Sequence, residues 1–347
     1  MIIVLVVVGL SLLILVHEFG HFLAAKLSGV KVEEFGLGFP PRLFGKKIGE
    51  TIYSINLLPF GGFVRIFGED GSEETKRDEK SFSNQPISHR SAIILAGVIM
   101  NVILGWLILS LVFAIGAPEH LMIAEVAPGS PAAEAKLKSG DVILEARTRE
   151  VLSDPVRSSA FVDLVENAPG EVFLKLKRGK DVFETTLAPR REPPAGQGPI
   201  GVSLVEIGIP SEPILKSFYR GLTATFRTLV LVAVGLWTFF SRLFVSPEVL
   251  ETVAGPVGIF ALSAQAGYLG LVYLFQLLAF ISLNLAVLNL IPFPALDGGR
   301  FLLLIIEKIK GKPISRRFQV VVNAAGFVFL IVLMLIVTWR DVLRILE

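Results

Sequence analysis

Cysteine is absent from the 347 residues of this chain. The chain therefore has no disulfide framework and no metal site built on thiolates, which fits either redox compartment. Charge is also scarce: Asp, Glu, Lys and Arg make up 18% of the residues, whereas soluble domains contain about 25%. The net charge of +2 is too small to indicate a nucleic-acid partner. The N-terminus lacks the basic residues of a signal peptide, so we interpret its apolar run as a retained span.

Apolar sequence is abundant. Hydrophobic residues account for 52% of the chain, and the mean hydropathy is +0.67. Runs long enough to cross the ~30 Å of a bilayer's hydrocarbon core lie at residues 2–27, 91–116, 268–291 and 320–339. A fifth run, 214–245, is apolar but carries Lys216, Arg220, Arg227 and Arg242. The composition predicts a polytopic α-helical membrane protein.

Two polar segments separate these runs. Residues 28–90 contain the strand-like stretch TIYSINLLPFGGFVRI, which predicts a β-hairpin. Residues 117–205 alternate between short strands, turns and short helices. We therefore expect an inserted α+β module in the second of these segments.

The sequence HEFGH lies inside the first apolar run. On a helix, the histidines of His-Glu-x-x-His are one turn apart on one face, so His17 and His21 can share a zinc ion and Glu18 can act as general base. The alternative is a chance alignment of residues that are satisfied by their neighbours. Ionisable residues within a membrane span are rare and are usually functional, so we favour the metal site.

A zinc ion with one position open for water needs a third protein ligand. The other two histidines, His89 and His120, lie near span ends in polar surroundings, and we expect them at the surface. Asp297 follows an apolar run and precedes a Gly-Gly pair. Asp-Gly is also a common turn pair, but the position at the end of a membrane span favours Asp297 as a ligand.

Several motifs together resemble one family. HEFGH in the first span, NLIPFPALDGG in a late span and a PDZ-like module between them are similar to the site-two proteases. These intramembrane zinc metalloproteases include the bacterial regulator-of-sigma-E proteases. The resemblance covers nearly the whole chain and implies one Zn²⁺ per chain, with Asp297 as the third ligand. It also implies that single-pass membrane proteins, such as anti-sigma factors or signal-peptide remnants, are cut within the bilayer.

The resemblance further indicates residues that contact the substrate. In the late span they are Asn284, Asn289, Pro292 and Pro294. In segment 28–90 it implies a membrane-reentrant hairpin, to whose edge an extended peptide could add, at Gly61, Gly62 and Phe63. Two alternatives stay open here: an ordinary cytoplasmic hairpin, and asparagines that only hold helices together.

The α+β module resembles a circularly permuted PDZ domain. Its sequence GPIGV occupies the place of a carboxylate-binding loop. This predicts contacts with a peptide end at Ile200, Gly201 and Val202. The module could instead act as a size filter that excludes substrates with large outer domains, which requires no binding.

The positions of the ligands predict the directions of the spans. His17 follows about sixteen residues of the first span, or roughly 24 Å of helix, and Asp297 also lies at the far end of its run. The two spans must therefore run in the same direction, which excludes a crossing at 214–245 and makes that segment a peripheral amphipathic helix. Residues 300–317 carry six basic residues and one acidic residue, so we expect them on the cytoplasmic side.

These arguments give eight segments. They are 1–27, the first transmembrane helix; 28–90, the cytoplasmic-side hairpin; 91–116, the second transmembrane helix; 117–205, an extracytoplasmic PDZ domain; 206–267, a peripheral amphipathic segment; 268–299, the third transmembrane helix; 300–319, a cytoplasmic loop; and 320–347, the fourth transmembrane helix and C-terminus. The expected location is the bacterial inner membrane. The rival interpretation is a catalytically inactive, membrane-anchored PDZ adaptor, against which the complete ligand set and Glu18 argue.

Overall fold

The computed structural model describes residues 2–69, 78–148, 152–153, 158–179, 181–242, 254–312 and 314–346. The α-helices are α1 (Ile2–Leu27), α2 (Ile87–Ile115), α3 (Pro131–Glu134), α4 (Ser158–Glu166), α5 (Ile214–Arg242), α6 (Pro256–Leu269), α7 (Leu271–Leu290), α8 (Asp297–Lys310) and α9 (Arg316–Leu346). The β-strands are β1 (Val32–Ile48), β2 (Thr51–Ile66), β3 (Ala117–Val126), β4 (Val142–Arg147), β5 (Leu152–Ser153), β6 (Val172–Arg178), β7 (Asp181–Leu187) and β8 (Val202–Ile209).

The chain divides into two compact units. The helical unit comprises Met1–Leu111, Leu215–Gly267 and Tyr273–Glu347. The α+β unit comprises Val112–Ile214 and Tyr268–Val272. The first boundary between the units falls between Leu111 and Val112, within the last turns of α2.

Five of the described helices are long and apolar enough to cross a membrane, namely α1, α2, α5, α7 and α9. Their exposed side chains include large apolar ones, such as Val4 on α1 and Val328 on α9, which are 64% and 60% exposed. Apolar surface of this kind is unfavourable in water but not in hydrocarbon. The chain is therefore a polytopic membrane protein, as its composition predicts.

Helices α1 and α7 run in the same direction. Ile2 at the start of α1 lies beside Gly267, just before α7 begins, because a Cβ on that glycine would be 2.6 Å from the isoleucine side chain. Further along both helices, Gly9 faces the side chain of Leu278, at 2.7 Å from an added Cβ. Because residues later in α1 contact residues later in α7, the two helices are parallel. The positions of the predicted ligands require this relative direction.

Helix α2 runs antiparallel to α1. Ile93, near the start of α2, contacts His21 near the end of α1, whereas Asn101 further along α2 contacts the earlier residue His17. The end of α2 and the start of α7 therefore lie at the same end of the three-helix arrangement.

Strands β1 and β2 each bend back and form a sheet that is four segments wide. Residues 34–37 pair antiparallel with residues 62–65, and on their other side they lie alongside residues 52–55. Residues 42–48 pair with residues 51–56. The sheet is therefore wider than the single hairpin that the strand-like stretch predicts, and residues 62–65 lie at one edge of it, which packs close to α1.

A small apolar core holds this sheet to the helices. It contains Ala25 at the end of α1, Val32 and Ile66 at the base of the sheet, Ile93 at the start of α2 and Leu304 of α8. Because these side chains come from five elements, the core fixes the end of α1, the start of α2 and the middle of α8 relative to one another.

The α+β unit is built on an antiparallel sheet of order β7-β6-β4-β3-β8, with β5 paired to β4. Phe161 of α4 is buried against the sheet in a core that includes Ile123, Ile143 and Leu174. Alternate residues of β6 are buried, which is the period expected of a strand with one face on a core. Strands β7 and β8 lie at the two edges.

One buried charge in this unit is paired. Asp141, whose side chain is fully buried, accepts hydrogen bonds from the Nε and Nη2 of Arg178, both at 2.6 Å, and from the amide of Lys138 at 2.9 Å. The ion pair raises the pKa of the Arg178 guanidinium further above its usual value. Asp141 thereby ties the turn before β4 to the end of β6.

The prediction of a loop at residues 300–319 is wrong, because most of this segment is helical. Asp297 lies in the first turn of α8, Lys308 and Lys310 lie in its last turn, and Gly311 ends it in the left-handed conformation with φ 64°. Acidic residues at the start of a helix, basic residues at its end and a glycine after it are all stabilising signals. The predicted peripheral segment 206–267 contains α5 and α6, and its residues 243–253 lie outside the described part of the chain.

Candidate metal centre

Three donor atoms from two parts of the chain converge in the helical unit. The Nε2 atoms of His17 and His21 lie 3.2 Å apart. The Oδ2 atom of Asp297 lies 3.1 Å from the first and 3.3 Å from the second. Both histidines are 8% exposed, so the structure brings the three predicted ligands into one nearly equilateral and largely buried triangle.

The turn between α7 and α8 places Asp297. Helix α7 ends at Leu290, and Asp297 is the first residue of α8. Gly298 packs against the main-chain oxygens of Leu290 and Ile291, where an added Cβ would be 2.3 Å from each. Only a residue without a side chain allows α8 to fold back this tightly. The Gly-Gly pair after Asp297 therefore lets α8 pack closely against the end of α7, which brings the Asp297 carboxylate to α1.

The donor set fits a metal ion. Oδ2 of Asp297 is buried and has no hydrogen-bond partner among the described residues, which is costly for a carboxylate unless a cation is bound. A tetrahedral ion bound to each donor at about 2.0–2.1 Å would hold the donors about 3.3 Å apart, close to the observed spacing. Two imidazole nitrogens and one carboxylate oxygen also form a ligand set typical of catalytic zinc.

Glu18 lies next to this triangle on α1. Its Oε2 accepts a hydrogen bond of 3.1 Å from the amide of Val64 in β2. The sheet edge at residues 62–65 therefore runs past the carboxylate. The contact with Val64 therefore holds the sheet edge beside Glu18.

The predicted substrate residues of the sheet pack mostly on α1. Gly61 adopts φ 77°, and a Cβ on it would be 3.2 Å from Ile14. A Cβ on Gly62 would be 2.9 Å from the main-chain oxygen of Gly36 and 3.2 Å from Leu15. The ring of Phe63 lies over Gly36. Because the two glycines have no side chains, the strand lies close to α1. This packing role differs from the predicted contact with a substrate peptide.

The predicted substrate residues of the late span lie around the α7–α8 turn. Asn284 is half-buried and donates to the main-chain oxygen of Phe280 in its own helix, at 3.1 Å. Asn289 and Pro294 are half-buried, and Pro292 is exposed. Pro294 packs against Gly326 of α9, where an added Cβ would be 2.6 Å from the proline.

The predicted peptide-binding residues of the α+β unit have different environments. Ile200 is 3% exposed and belongs to the apolar core, so its side chain serves packing. Gly201 adopts φ 72° and lies beside Ser130, and Val202 begins the edge strand β8. Of the two remaining histidines, His89 is exposed and His120 is half-buried in β3.

Sequence reasoning missed Asn101. This residue is fully buried on α2, and its side-chain amide lies 3.3 Å from Nδ1 of His17. A signal was present, because an asparagine within an apolar span is costly unless it has a partner. The sequence could not identify that partner, since the pairing of α1 with α2 is a property of the fold.

Comparison with known proteins finds relatives that match nearly the whole chain. The profile of peptidase family M50 matches residues 5–333. A Clostridium perfringens protein named as a candidate zinc metalloprotease is 36% identical to the chain, and the match covers 99% of each. The regulator of sigma-W protease RasP of Bacillus subtilis is 32% identical over 96% of each chain. The chloroplastic membrane metalloprotease ARASP of Arabidopsis thaliana is 33% identical over 97% of this chain and 77% of its own.

The family match extends over both segments that supply the donor atoms, and the alignments with these relatives cover nearly the whole chain. The predicted resemblance is confirmed, and the chain belongs to peptidase family M50, the family of the site-two proteases.

Proposed function

We propose that this protein is a zinc-dependent endopeptidase that cuts transmembrane segments of single-pass membrane proteins within the bilayer. The observation that carries the proposal is the triangle of His17, His21 and Asp297 with Glu18 beside it. The histidines and Glu18 lie on α1, which is apolar enough to cross a membrane, and Asp297 follows α7, which is also apolar enough to cross. The names of the relatives from Clostridium perfringens and Bacillus subtilis, a zinc metalloprotease and a regulatory protease, support this activity.

The residues of the site have different chemical roles. His17, His21 and Asp297 would hold the zinc ion, which when bound polarises a peptide carbonyl and makes a water molecule more acidic. Glu18 takes a proton from the attacking water and delivers it to the leaving amide nitrogen. The hydrogen bond from Val64 orients the Glu18 carboxylate for this exchange.

The sheet edge at residues 62–65 offers a place for an unwound substrate. A peptide bond inside a helix is protected by its own hydrogen bonds, so the substrate must become extended before it is cut. An extended segment can add to the edge of a sheet through main-chain hydrogen bonds. Because this edge runs past Glu18, a segment bound there would lie next to the metal centre.

Water must also reach a site that lies among apolar helices. A cavity of about 1020 Å³ in the helical unit has a wall that includes Arg65, Ile94 and Asn323. Arg65 follows Val64, which contacts Glu18, and Ile94 follows Ile93, which contacts His21. We propose that water reaches the centre from this cavity, whose lining mixes polar and apolar side chains and includes Arg300 and Glu307 of α8.

Four membrane crossings fit the arrangement better than five. The end of α2 and the start of α7 lie at the same end of the helices, so the chain between them crosses the membrane an even number of times. Within the described part of that stretch, α5 alone is long and apolar enough to cross. These observations support a position of α5 along the surface, and the basic residues of 300–317 support a cytoplasmic location of the metal end.

The α+β unit follows α2 and would then be extracytoplasmic, in the inner membrane of a bacterium. We interpret it as a PDZ domain, because α4 lies near the edge strand β8: the amide and hydroxyl of Ser158 both donate to Glu206, each at 2.8 Å. An edge strand flanked by a helix could accept a peptide. Anti-sigma factors and signal-peptide remnants are the substrates that the family resemblance suggests.

Glu18→Gln provides the test of this function. The variant keeps the three metal donors but cannot accept a proton, so it should retain zinc and lose cleavage of a single-pass membrane substrate in proteoliposomes. Glu145→Gln, an exposed carboxylate of the α+β unit, is the matched control and should cleave normally. Wild-type protein that binds zinc but cleaves no membrane substrate would favour the adaptor function instead. The trapped variant can also be used to capture substrates in cells.

A further inference from the structure

Helix α2 supplies no donor to the metal centre, yet one of its faces lies against both imidazole rings. Ile93, Gly97 and Asn101 follow one another at intervals of four residues, so they lie on one side of the helix. All three are buried. Their contacts with the two histidines account for how the rings are oriented.

The main chain of α2 fixes the first ring. Nδ1 of His21 lies 2.8 Å from the main-chain oxygen of Ile93. A carbonyl oxygen can only accept, so Nδ1 carries the hydrogen and Nε2 is left with its lone pair. That lone pair points to the triangle formed with His17 and Asp297.

The side chain of Asn101 plays the same part for the second ring. Nε2 of His17 must also present its lone pair to an ion, so its Nδ1 must donate a hydrogen. The Asn101 amide lies 3.3 Å from that Nδ1, and its Oδ1 is the only one of its two polar atoms that can accept. Rotation of the amide group by 180° interchanges its oxygen and nitrogen. The rotation also moves Oδ1 out of a buried position in which it has no hydrogen-bond partner among the described residues, and places it against Nδ1.

Between these two contacts, α2 leaves space for the rings. A Cβ on Gly97 would be 2.5 Å from Nε2 of His21 and 2.7 Å from Cε1 of His17. Any side chain here would collide with the atom that binds the metal. The main-chain oxygen of Asn101 accepts a hydrogen bond of 2.9 Å from Ser282 of α7, which links this face of α2 to the next helix.

We propose that Ile93, Gly97 and Asn101 form a platform on α2 that sets the orientation of both histidine ligands. Asn101 is the positioning residue, acting on the metal through His17. The inference rests on the proposed function, because it requires an ion at the triangle. It assigns a role to a helix that contributes neither a ligand nor the general base.

The test measures metal binding by the full-length protein in detergent or nanodiscs. Asn101→Leu keeps the approximate shape and removes the acceptor, whereas Asn101→Asp supplies a stronger one. Zinc affinity is measured by competition with a chelator, and the geometry of the site by the visible spectrum of the Co²⁺-loaded protein. Removal of the hydrogen-bond partner of a ligating histidine typically weakens metal affinity about 10–100-fold. We therefore expect Asn101→Leu to bind zinc about 10–100-fold more weakly and to have a changed Co²⁺ spectrum. Asn101→Asp should restore both the affinity and the spectrum.

Ser282→Ala is the matched control, since it removes the contact between α7 and α2 but leaves the imidazole contact intact. Its affinity should stay within about twofold of wild type. Equal affinity and an unchanged spectrum in Asn101→Leu would overturn the inference, as would a loss in Asn101→Leu that Asn101→Asp does not reverse. Failure of the wild-type protein to bind zinc or Co²⁺ would instead contradict the proposed function.

Discussion

At the scale of single residues, the three predicted metal ligands are brought together in two ways. His17 and His21 are one helical turn apart, so local geometry alone puts them on one face of α1. Asp297 comes from a distant part of the chain and reaches them because α8 folds back tightly over a glycine pair. The centre therefore depends on both a local motif and a turn between two helices.

Asp297→Asn tests the third donor. The amide retains the shape but not the negative charge, so zinc affinity should fall at least about 100-fold, beyond the usual effect of an outer partner, and cleavage should be lost. Zinc content after dialysis and cleavage in proteoliposomes are the measurements. Asp163→Asn, on the exposed side of α4, should behave like wild type. Unchanged zinc content in Asp297→Asn would exclude this residue as a ligand.

At the scale of elements, the sheet of β1 and β2 is held against α1 by small residues. An alanine at position 62 would place its Cβ 2.9 Å from the Gly36 oxygen and 3.2 Å from Leu15, so the strand edge beside Glu18 or its neighbours must move. This explains why a glycine pair interrupts an otherwise strand-like run.

Gly62→Ala should therefore lower the rate of cleavage about tenfold or more while zinc content is unchanged, since small displacements of positioning elements are costly to catalysis. Gly45→Ala is the control within the same sheet, because its Cβ would meet side chains and no main-chain atom: the flexible Arg42 at 3.0 Å and Ile52 at an ordinary 3.5 Å. The rates of both variants are compared at equal zinc content. Equal rates would show that the approach of this strand to α1 does not matter for catalysis.

The position of α5 is a second question at this scale. The chain has no cysteine, so single cysteines can be introduced at Ile214 and Ser241, both exposed near the ends of α5. If α5 lies along the surface, a membrane-impermeant thiol reagent should label both from the same side of oriented vesicles. Labelling from opposite sides would mean that α5 crosses the membrane and that the count of four spans is wrong.

At the scale of the whole molecule, the two units have separate sources of stability. The α+β unit has its own apolar core and a buried charge, Asp141, that is satisfied by Arg178. The helical unit is held by apolar helix contacts and by the elements around the metal centre. A defect in one unit should therefore leave the local chemistry of the other intact.

Arg178→Ala tests this separation. Removing one partner of a buried ion pair leaves an unpaired charge, so the α+β unit should lose about 3 kcal/mol of its free energy of unfolding. Lys175→Ala, which removes a pair with Glu145 whose partners are 37% and 50% exposed, should lose less than about 1 kcal/mol. Hydrogen exchange of β4 and β6 in the full-length protein reports the loss. A fall in zinc content in Arg178→Ala would contradict the independence of the two units.

The sequence by itself determined what depends on composition and on near neighbours. Hydropathy predicted the long apolar helices, the spacing of four predicted the histidine pair, and the cost of charge in hydrocarbon drew attention to Asp297. The parallel direction of α1 and α7 also followed, because the ligands had to meet at one depth. The apolar helices and the histidine pair follow from patterns among neighbouring residues. The relative direction of the helices follows because few arrangements bring the predicted ligands to one depth in the membrane.

Tertiary structure alone decided the contacts between distant elements. The second pairing of residues 34–37, the hydrogen bond from Val64 to Glu18 and the contact of Asn101 with His17 join residues with no shared local pattern. Ile200 was predicted to lie in a peptide-binding loop, and only the structure shows that its side chain lies in the core. Such outcomes depend on how whole surfaces pack, because a side chain acquires its partner only when helix meets helix or strand meets helix.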